Sequence, residues 1–179
     1  MNIVLTGMRG AGKSSLSRRL SVLTKWPVVS TDLLIQYEAK GKSIAQIVAD
    51  NGWHNFRELE YQVVQKVAQL NNVIIDCGGG IVVDLDTEGN EQYSSRKIDL
   101  LKQNGQIIWL KGDIARLAAK VKNDQERPTL DQLKSAEELM ERRLPFYKEA
   151  ADDVVNIEGK KKRQLSKEIF RLTFKPGPA

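Results

Sequence analysis

Residues 7–14 read GMRGAGKS, and this stretch decides the fold of the chain. It matches in full the phosphate-binding pattern of a glycine, four residues, a second glycine, a lysine and a hydroxyl. The apolar run at 3–5 before it is typical of a buried strand, and Leu16 and Leu20 after it recur at helical spacing. The motif therefore has the context that it requires, which is a strand, a glycine-rich turn and a helix.

The residue types in this loop predict how it binds a nucleotide. Its glycines give backbone N–H groups room to converge on phosphate oxygens, and the following helix adds the positive end of its dipole. We expect Lys13 to reach the β- and γ-phosphates and the Ser14 hydroxyl to join a Mg²⁺ shell. The motif leaves open which molecule receives the phosphate. The predicted nucleotide-binding residues here are Gly10, Ala11, Gly12, Lys13, Ser14 and Ser15.

Composition limits the class of protein. The 179 residues, of which 41% are hydrophobic and 28% charged, suit one globular domain with a real core. No apolar run approaches the roughly 20 residues of a transmembrane helix. Strand and loop already occupy residues 1–12, so no cleavable signal peptide is expected. Cys77 is the only cysteine, which excludes an internal disulfide and a zinc site and favours a cytoplasmic protein.

The net charge of +5 suits anionic small molecules and also nucleic acid. The sharpest basic cluster, at 160–163, is short and has no interleaved aromatic residues that would stack on bases. We interpret it as a solvated face. With no coiled-coil heptad and no apolar tail, we expect a monomer with neither a nucleic-acid nor a membrane partner.

Short apolar runs alternate with helical patterns, which predicts a mostly parallel sheet covered on both faces. Thr31-Asp32 and Ser43 are predicted helix caps, and the polar, turn-rich stretch 84–90 is interpreted as a surface excursion or hairpin. One domain at 1–174 and a frayed tail at 175–179 are expected. Predicted strands are 2–5, 28–29, 73–76, 107–110 and 154–156. Predicted helices are 13–24, 32–39, 44–51, 53–70, 94–103, 114–121, 136–150 and 163–172.

Further polar residues follow the predicted strands, at the sheet edge where such folds bind ligands. Asp32 follows the second strand and could accept or orient the proton of an alcohol, although a helix cap is the plainer alternative. Arg57 and Glu60 are three apart on a helix and could pair, which would present a fixed guanidinium fork to a carboxylate. The alternative there is a surface ion pair.

The third strand and two later segments add candidates. Asp76 ends an apolar strand, as does the carboxylate that holds the Mg²⁺ shell in phosphate-loop enzymes. The glycine triplet at 78–80 admits a ligand close to backbone N–H groups, the alternative being a loose turn. Arg127 lies in a polar stretch at about 120–132, a candidate lid, where it could neutralise charge on a transferring phosphoryl group. Of Arg142 and Arg143 on a late helix, one could be solvated.

Together these residues resemble the shikimate kinase family along nearly the whole chain. The phosphate loop is shared by many families, but the combination of Phe56-Arg57, the glycine triplet and the run at 143–147 is much more specific. The resemblance implies ATP-dependent phosphorylation of the 3-hydroxyl of shikimate, with Mg²⁺, on the pathway to chorismate and aromatic amino acids. It also implies a phosphate-loop NTPase fold of class α/β, with three α/β/α layers. The five-stranded parallel sheet would have the order 2-3-1-4-5 of nucleoside monophosphate kinases. The matching elements are 7–14, Thr31-Asp32, the turn at 41–44, Phe56-Arg57 with Glu60, 78–80, Arg127-Pro128 and 143–147.

Carried over by position, the resemblance implies a role for each candidate. Asp32 would hold substrate hydroxyls and act as the base or orienting group. Arg57 and Arg143 would clamp the shikimate carboxylate, within a substrate region that includes helices at about 32–70. Lys120 falls where an adenine-stacking arginine often stands. The implied catalytic set is Lys13, Asp32 and Arg127, the implied substrate set is Asp32, Arg57, Gly78, Gly79, Gly80 and Arg143, and Lys120 and Arg127 join the nucleotide set.

The chain departs from the family pattern where the metal is bound. The usual Asp-x-Asp after the second strand is here Ser30-Thr31-Asp32, whereas Asp76 stands where many relatives carry Ser or Thr. We therefore expect that the carboxylate for Mg²⁺ has moved, with Ser14 and Asp76 as the metal residues. The stretch 84–90 also lengthens the segment after the triplet, and Lys120 would stack on a base less well than arginine.

Two other interpretations stay open. A related kinase for gluconate or a nucleotide lacks the combination of Phe56-Arg57 with the triplet, and a neutral acceptor would leave two arginines without a partner. A regulatory nucleotide-binding protein, catalytically impaired by Ser30, would need neither Asp32 as base nor Arg127 as lid arginine. The residues therefore favour an active kinase.

Overall fold

Five parallel strands form the central sheet in a computed structural model that describes residues 1–121 and 135–174. Its strands are β1 (Asn2–Thr6), β2 (Val28–Ser30), β3 (Ile74–Asp76), β6 (Gly105–Lys111) and β7 (Asp153–Asn156), and a separate antiparallel hairpin consists of β4 (Val83–Leu85) and β5 (Glu91–Tyr93). The order is β2-β3-β1-β6-β7. Counted among the sheet strands alone, this is the expected order 2-3-1-4-5. All five predicted strands are present.

Seven helices in the described residues pack around the sheet. They are α1 (Lys13–Thr24), α2 (Thr31–Glu38), α3 (Ile44–Val67), α4 (Ser95–Asn104), α5 (Ile114–Val121), α6 (Ala136–Ala150) and α7 (Lys162–Thr173). Helices α1 and α7 pack on each other and on the sheet, whereas α4 and α6 contact β6. All five residues of β1 are buried, as a strand covered on both faces must be.

Local signals explain how the second and third helices begin. Ser43 caps α3, as predicted, and also forms a reciprocal capping box with Gln46. The two helices predicted at 44–51 and 53–70 are the two halves of α3, which breaks at Gly52, where φ is 76°. The predicted Thr31-Asp32 cap is wrong by one residue. Because α2 starts directly after β2, Ser30 is the N-cap and its Oγ accepts from Leu33 N at 3.4 Å.

Parallel pairing places the ends of three strands at one edge of the sheet. Asp76 at the end of β3 lies in register with Leu5 of β1 on one side and with Ser30 of β2 on the other. The phosphate loop leaves β1 directly after this point. The prediction that the strand of Asp76 lies beside the phosphate-loop strand is therefore confirmed, and the candidate residues converge at the carboxyl edge.

The stretch 84–90 is a hairpin, one of its two predicted forms. Asp86 closes its turn, accepting hydrogen bonds from the backbone N–H groups of Glu88 and Asn90. Asp84 anchors its first strand, because it accepts from Ser94 Oγ at 2.6 Å and from Arg96 Nε at 2.8 Å. The hairpin is thus fastened to the start of α4.

Some predictions concern the surface or residues outside the described ranges. The basic run at 160–163 is exposed throughout, as expected of a solvated face. In the part of the chain that the structure describes, no helix is both long and apolar enough to span a membrane. Arg127, nearly all of the predicted lid and the tail at 175–179 lie outside the described residues.

Candidate active site

The phosphate loop connects β1 to α1, and its glycines set its shape. Gly10 and Gly12 have left-handed φ values of 83° and 88°, and Gly12 is also the N-cap of α1. At Gly7 a Cβ atom would lie 2.9 Å from the carbonyl oxygen of Leu110, so a side chain does not fit. The loop therefore approaches β6 closely and presents the N-terminus of α1 toward a ligand, as an anion site requires.

Lys13 carries its charge back into this loop. Its Nζ donates to the carbonyl oxygen of Gly7 at 2.7 Å and to that of Met8 at 3.1 Å. The ammonium group is thus held beside the loop backbone rather than extended into solvent. This position suits the predicted contact with β- and γ-phosphates, since a phosphate bound in the loop would lie next to it.

A cleft of about 620 Å³ opens beside the loop. This volume lies within the usual range for small-ligand sites. It brings the phosphate loop, which follows β1, to a common surface with residues of β2 and β3, as the sheet topology requires. Of the predicted site residues, the cleft is lined by Gly10, Gly12, Lys13, Ser14, Ser15, Asp32, Asp76, Gly78 and Gly79.

The glycine triplet gives room to three parts of the site. A Cβ atom on Gly78 would lie 2.4 Å from Oδ1 of Asp32, and one on Gly80 would lie 2.6 Å from both terminal nitrogens of Arg57. On Gly79 it would lie 3.3 Å from the backbone nitrogen of the phosphate loop at residue 9. The loose-turn alternative is therefore wrong, because the missing side chains let a carboxylate, a guanidinium and the loop approach one backbone.

Two side chains that are not among the predicted site residues hold the triplet in place. Thr31 Oγ1 accepts a hydrogen bond from Gly78 N at 2.9 Å, and Tyr147 Oη donates to the carbonyl oxygen of Gly79. Burial raises the pKa of the Tyr147 hydroxyl well above its ordinary value, so it remains a donor. Tyr147 could have been found, since it ends the run at 143–147 that carries the family resemblance.

Arg57 is buried, with 3% of its surface exposed. Its Nη1 donates to Glu60 Oε2 at 2.8 Å and to the carbonyl oxygen of Gly80 at 3.1 Å. Phe56 and Trp53 flank the guanidinium, with ring centroids 5.3 and 5.7 Å away. The surface-ion-pair alternative is wrong, because Glu60 is equally buried. The buried Nε has no hydrogen-bond partner among the described residues.

Lys97 is a further charged residue of this cluster and is not among the predicted site residues. Its side chain is fully buried, and its Nζ donates at 2.6 Å to both Glu60 Oε2 and the carbonyl oxygen of Val83. Burial lowers the pKa of Lys97 and outweighs the opposing effect of Glu60. Lys97 shares the buried face of α4 with Ile98 and Leu101, but its residue type and spacing do not distinguish this position from a solvated one in the sequence.

Arg143 on α6 is paired with Glu91 of the hairpin. Arg143 Nε lies 3.1 Å from both carboxylate oxygens, and Nη2 also donates to Oε1. Arg142 Nε lies 3.6 Å from the same carboxylate, and the Arg142 side chain is the more exposed of the two arginines. Arg143 does not line the 620 Å³ cleft, in contrast to Asp32 and the phosphate loop.

Lys120 lies in a second groove, of about 470 Å³, which shares Gly10 and Gly12 with the main cleft. Its other wall is the turn at 157–162 that leads into α7. Arg116 Nη2 and Glu158 Oε1 form an ion pair of 2.6 Å in this wall. The groove therefore continues from the phosphate loop to the position that the resemblance assigned to the nucleotide base.

Comparison with known proteins identifies the family. The shikimate kinase family model matches residues 9–173. Shikimate kinase of Leptospira biflexa serovar Patoc is 47% identical over 170 residues, covering 95% of this chain and 94% of that protein. The structure of shikimate kinase from Acinetobacter baumannii in complex with shikimate has a TM-score of 0.82 at 26% identity, covering 96% of this chain and 92% of that one. Shikimate kinase from Aquifex aeolicus gives a TM-score of 0.76 at 29% identity, with 95% and 94% covered. Because the family model spans most of the chain and a relative at 47% identity covers 95% of it, the chain belongs to the shikimate kinase family.

Proposed function

We propose that this chain transfers the γ-phosphoryl group of ATP to the 3-hydroxyl of shikimate. The observation that carries the proposal is the meeting of the phosphate loop, Asp32 and the glycine triplet in one cleft, with buried Arg57 behind Gly80. An ATP-turnover assay with and without shikimate tests it. ATP consumption that depends on shikimate is expected, and equal turnover without an acceptor would contradict the proposal.

The residues of the cleft would have separate roles in the reaction. Backbone N–H groups of the phosphate loop and the N-terminus of α1 hold the phosphates. Lys13 would exchange its carbonyl partners for phosphate oxygens and neutralise the charge that grows during transfer. Asp32, which lines the same cleft, would orient the acceptor hydroxyl and take its proton. These are positioning and electrostatic roles, which supply most of the catalysis in phosphoryl transfer.

The substrate carboxylate would be held by two arginines. Arg57 supports this role because it is buried, flanked by aromatic rings and fixed by Glu60, yet keeps a buried Nε without a partner among the described residues. A buried donor of this kind is suited to an anionic ligand. Arg143 would supply the second contact, and the backbone of Gly78, Gly79 and Gly80 would border the ring.

Ser14 and Asp76 fit a Mg²⁺ site, because their oxygens line the same cleft as the phosphate loop. The part of the chain that the structure covers has no cluster of three or more His, Cys, Asp or Glu that could hold a metal. A small set of protein oxygens suits Mg²⁺, which usually keeps several waters and binds substrate phosphates. Bound Mg²⁺ would neutralise charge on those phosphates.

The nucleotide base would lie in the second groove, against Lys120. Arg127 remains the predicted lid arginine. We further propose that the enzyme acts in the cytoplasm, which the free, buried thiol of Cys77 supports, because cytoplasmic proteins rarely depend on disulfides. We also propose that it is a monomer. Light scattering at assay concentration tests the monomer.

We expect Arg57→Ala to raise the KM for shikimate by about 10- to 100-fold, because it removes a charge-assisted contact of about 1.5–3 kcal/mol. The KM for ATP should change little, since Arg57 is bonded to Glu60 and Gly80 and does not line the Lys120 groove proposed for the nucleotide base. Steady-state kinetics in both substrates measure the two constants. Arg171→Ala on α7 is the matched control, and equal shikimate KM values in the two variants would rule out the carboxylate clamp.

Asp76→Ala is expected to raise the Mg²⁺ concentration for half-maximal activity by about 10- to 100-fold, the scale for lost carboxylate partners around a metal. Ser30→Ala should leave this requirement nearly unchanged and cost about 1 kcal/mol of stability, because Ser30 caps α2. Magnesium titrations of both variants, with thermal melts, measure the two effects. The reverse ranking would show that the carboxylate has not moved to β3.

A further inference from the structure

We propose that Glu91 is a positioning residue for the substrate carboxylate and acts through Arg143. The inference rests on the proposed function, because it takes Arg143 as a contact to the acceptor. It gives a function to the β4–β5 hairpin, which the longer segment after the glycine triplet forms.

The pairing is built into the fold. The hairpin brings Glu91 to an arginine 52 residues later in the chain, and the Glu91 side chain is 2% exposed. Its two oxygens accept from Nε and Nη2 of Arg143, which form one edge of the planar guanidinium group. No described residue engages Nη1. Glu91 therefore fixes the plane of the arginine from one edge and leaves another end of the fork for a ligand.

The same arrangement exists at the other arginine of the site. Arg57 is backed by the buried carboxylate of Glu60, which Lys97 also holds from α4. Each arginine that would meet the substrate carboxylate thus has its own buried acid, Glu60 for Arg57 and Glu91 for Arg143. A long side chain fixed in this way loses less rotamer freedom when a ligand binds.

The hairpin is anchored firmly enough to position a side chain. Asp84 at its first strand accepts two hydrogen bonds from Arg96 and one from Ser94, and its Oδ1 lies 3.6 Å from Lys97 Nζ. Although burial favours the protonated acid, the bonds from Arg96 and the charge of Lys97 lower the pKa of Asp84. The β4–β5 hairpin is therefore linked through Lys97 to Glu60, the partner of Arg57, and it also carries Glu91, the partner of Arg143.

If Glu91 had a different role, its removal would change the KM for shikimate in the opposite direction. If Glu91 occupied Arg143 in competition with the substrate carboxylate, its removal would free the arginine and lower the KM for shikimate. The contacts favour positioning, because Arg142 Nε also lies near Glu91 at 3.6 Å and gives the acid a second cation. Glu91 thus lies between two arginines of α6, and its contacts can persist when the substrate binds.

The test is Glu91→Gln beside Glu88→Gln, which makes the same charge change at the exposed turn of the same hairpin. We expect Glu91→Gln to raise the KM for shikimate about tenfold, the effect of a slightly misplaced contact. The kcat and the KM for ATP should stay within about twofold. Glu91→Asp, which keeps the charge, should recover part of the loss. An unchanged or lower shikimate KM in Glu91→Gln, or equal shifts in both substrates, would overturn the inference.

A double-mutant cycle separates this inference from the proposed function. Arg143→Gln alone should raise the shikimate KM, and adding Glu91→Gln to it should raise the KM no further. If Arg143→Gln leaves the KM unchanged, the assigned role of Arg143 is wrong and the inference falls with it. If Arg143→Gln raises the KM but the effect of Glu91→Gln is absent or simply additive, only the positioning role is wrong.

Discussion

Asp32→Asn is expected to lower kcat by about 10²-fold or more, the scale for a positioned acid–base or orienting group. The side chain keeps its shape but loses the charge that would take or orient the proton of the acceptor hydroxyl. Asp32 lines the same cleft as the phosphate loop and lies against Gly78, so its carboxylate is held where the proposed acceptor would bind. The KM for ATP should change little.

Steady-state rates with ATP and shikimate measure this effect, and thermal melts check the fold. Asp32 stands in the first turn of α2, so loss of its charge should cost only about 0.3–1 kcal/mol of stability. Asp99→Asn, on the exposed face of α4, is the matched control and should keep normal kinetics. A near-normal kcat in Asp32→Asn would reduce the residue to a favourable charge at a helix start.

Much of the fold was predictable because its signals are local. The glycine pattern at 7–14 requires a strand before it and a helix after it, and strand-to-helix alternation then implies a parallel sheet. Parallel strands end at one edge, so the convergence of Asp32, Asp76 and the glycine triplet also followed from the order of elements. Ser43 marked a helix start through its capping side chain, and Gly52 marked the break in α3 through its left-handed backbone.

The missed parts of the site depend on contacts between distant segments. The partner of Glu91 lies 52 residues away, and Lys97 meets Glu60 across 37 residues. No periodicity encodes such a pairing, because a charged residue at helical spacing looks the same whether it faces water or a buried acid. For the same reason the spacing of Arg57 and Glu60 predicted their contact but not their burial.

The predictable and the missed parts of the site also correspond to different proposed functions. Local patterns located the proposed nucleotide side, where backbone N–H groups would do most of the binding. Side-chain pairs assemble the side that would bind the acceptor, with Arg57 backed by Glu60 on the same helix and Arg143 by Glu91 of the hairpin. If the proposed roles hold, nucleotide binding would depend on loop shape, whereas acceptor recognition would depend on a charge network that includes the β4–β5 hairpin.

Lys13→Met should have the broadest effect of any single change, with kcat falling by about 10²–10³-fold, the scale for lost electrostatic stabilisation at a reacting group. Nucleotide affinity should fall as well, which distinguishes it from Asp32→Asn. In the present structure Nζ lies against the carbonyl oxygens of Gly7 and Met8. Methionine fills similar space but leaves those oxygens facing the phosphates without a cation between them.

Rates at saturating shikimate and direct nucleotide titration measure the two losses separately. Lys13→Arg keeps the charge but brings a larger planar group into a loop that closely approaches β6, so we expect it to recover little activity. Lys167→Met on the exposed face of α7 is the control for losing a lysine charge. If Lys13→Met kept its affinity for ATP and a kcat within tenfold of the unmodified chain, backbone N–H groups alone would hold the phosphates. Transfer would then depend on the lid arginine and Mg²⁺, without a cation in the loop.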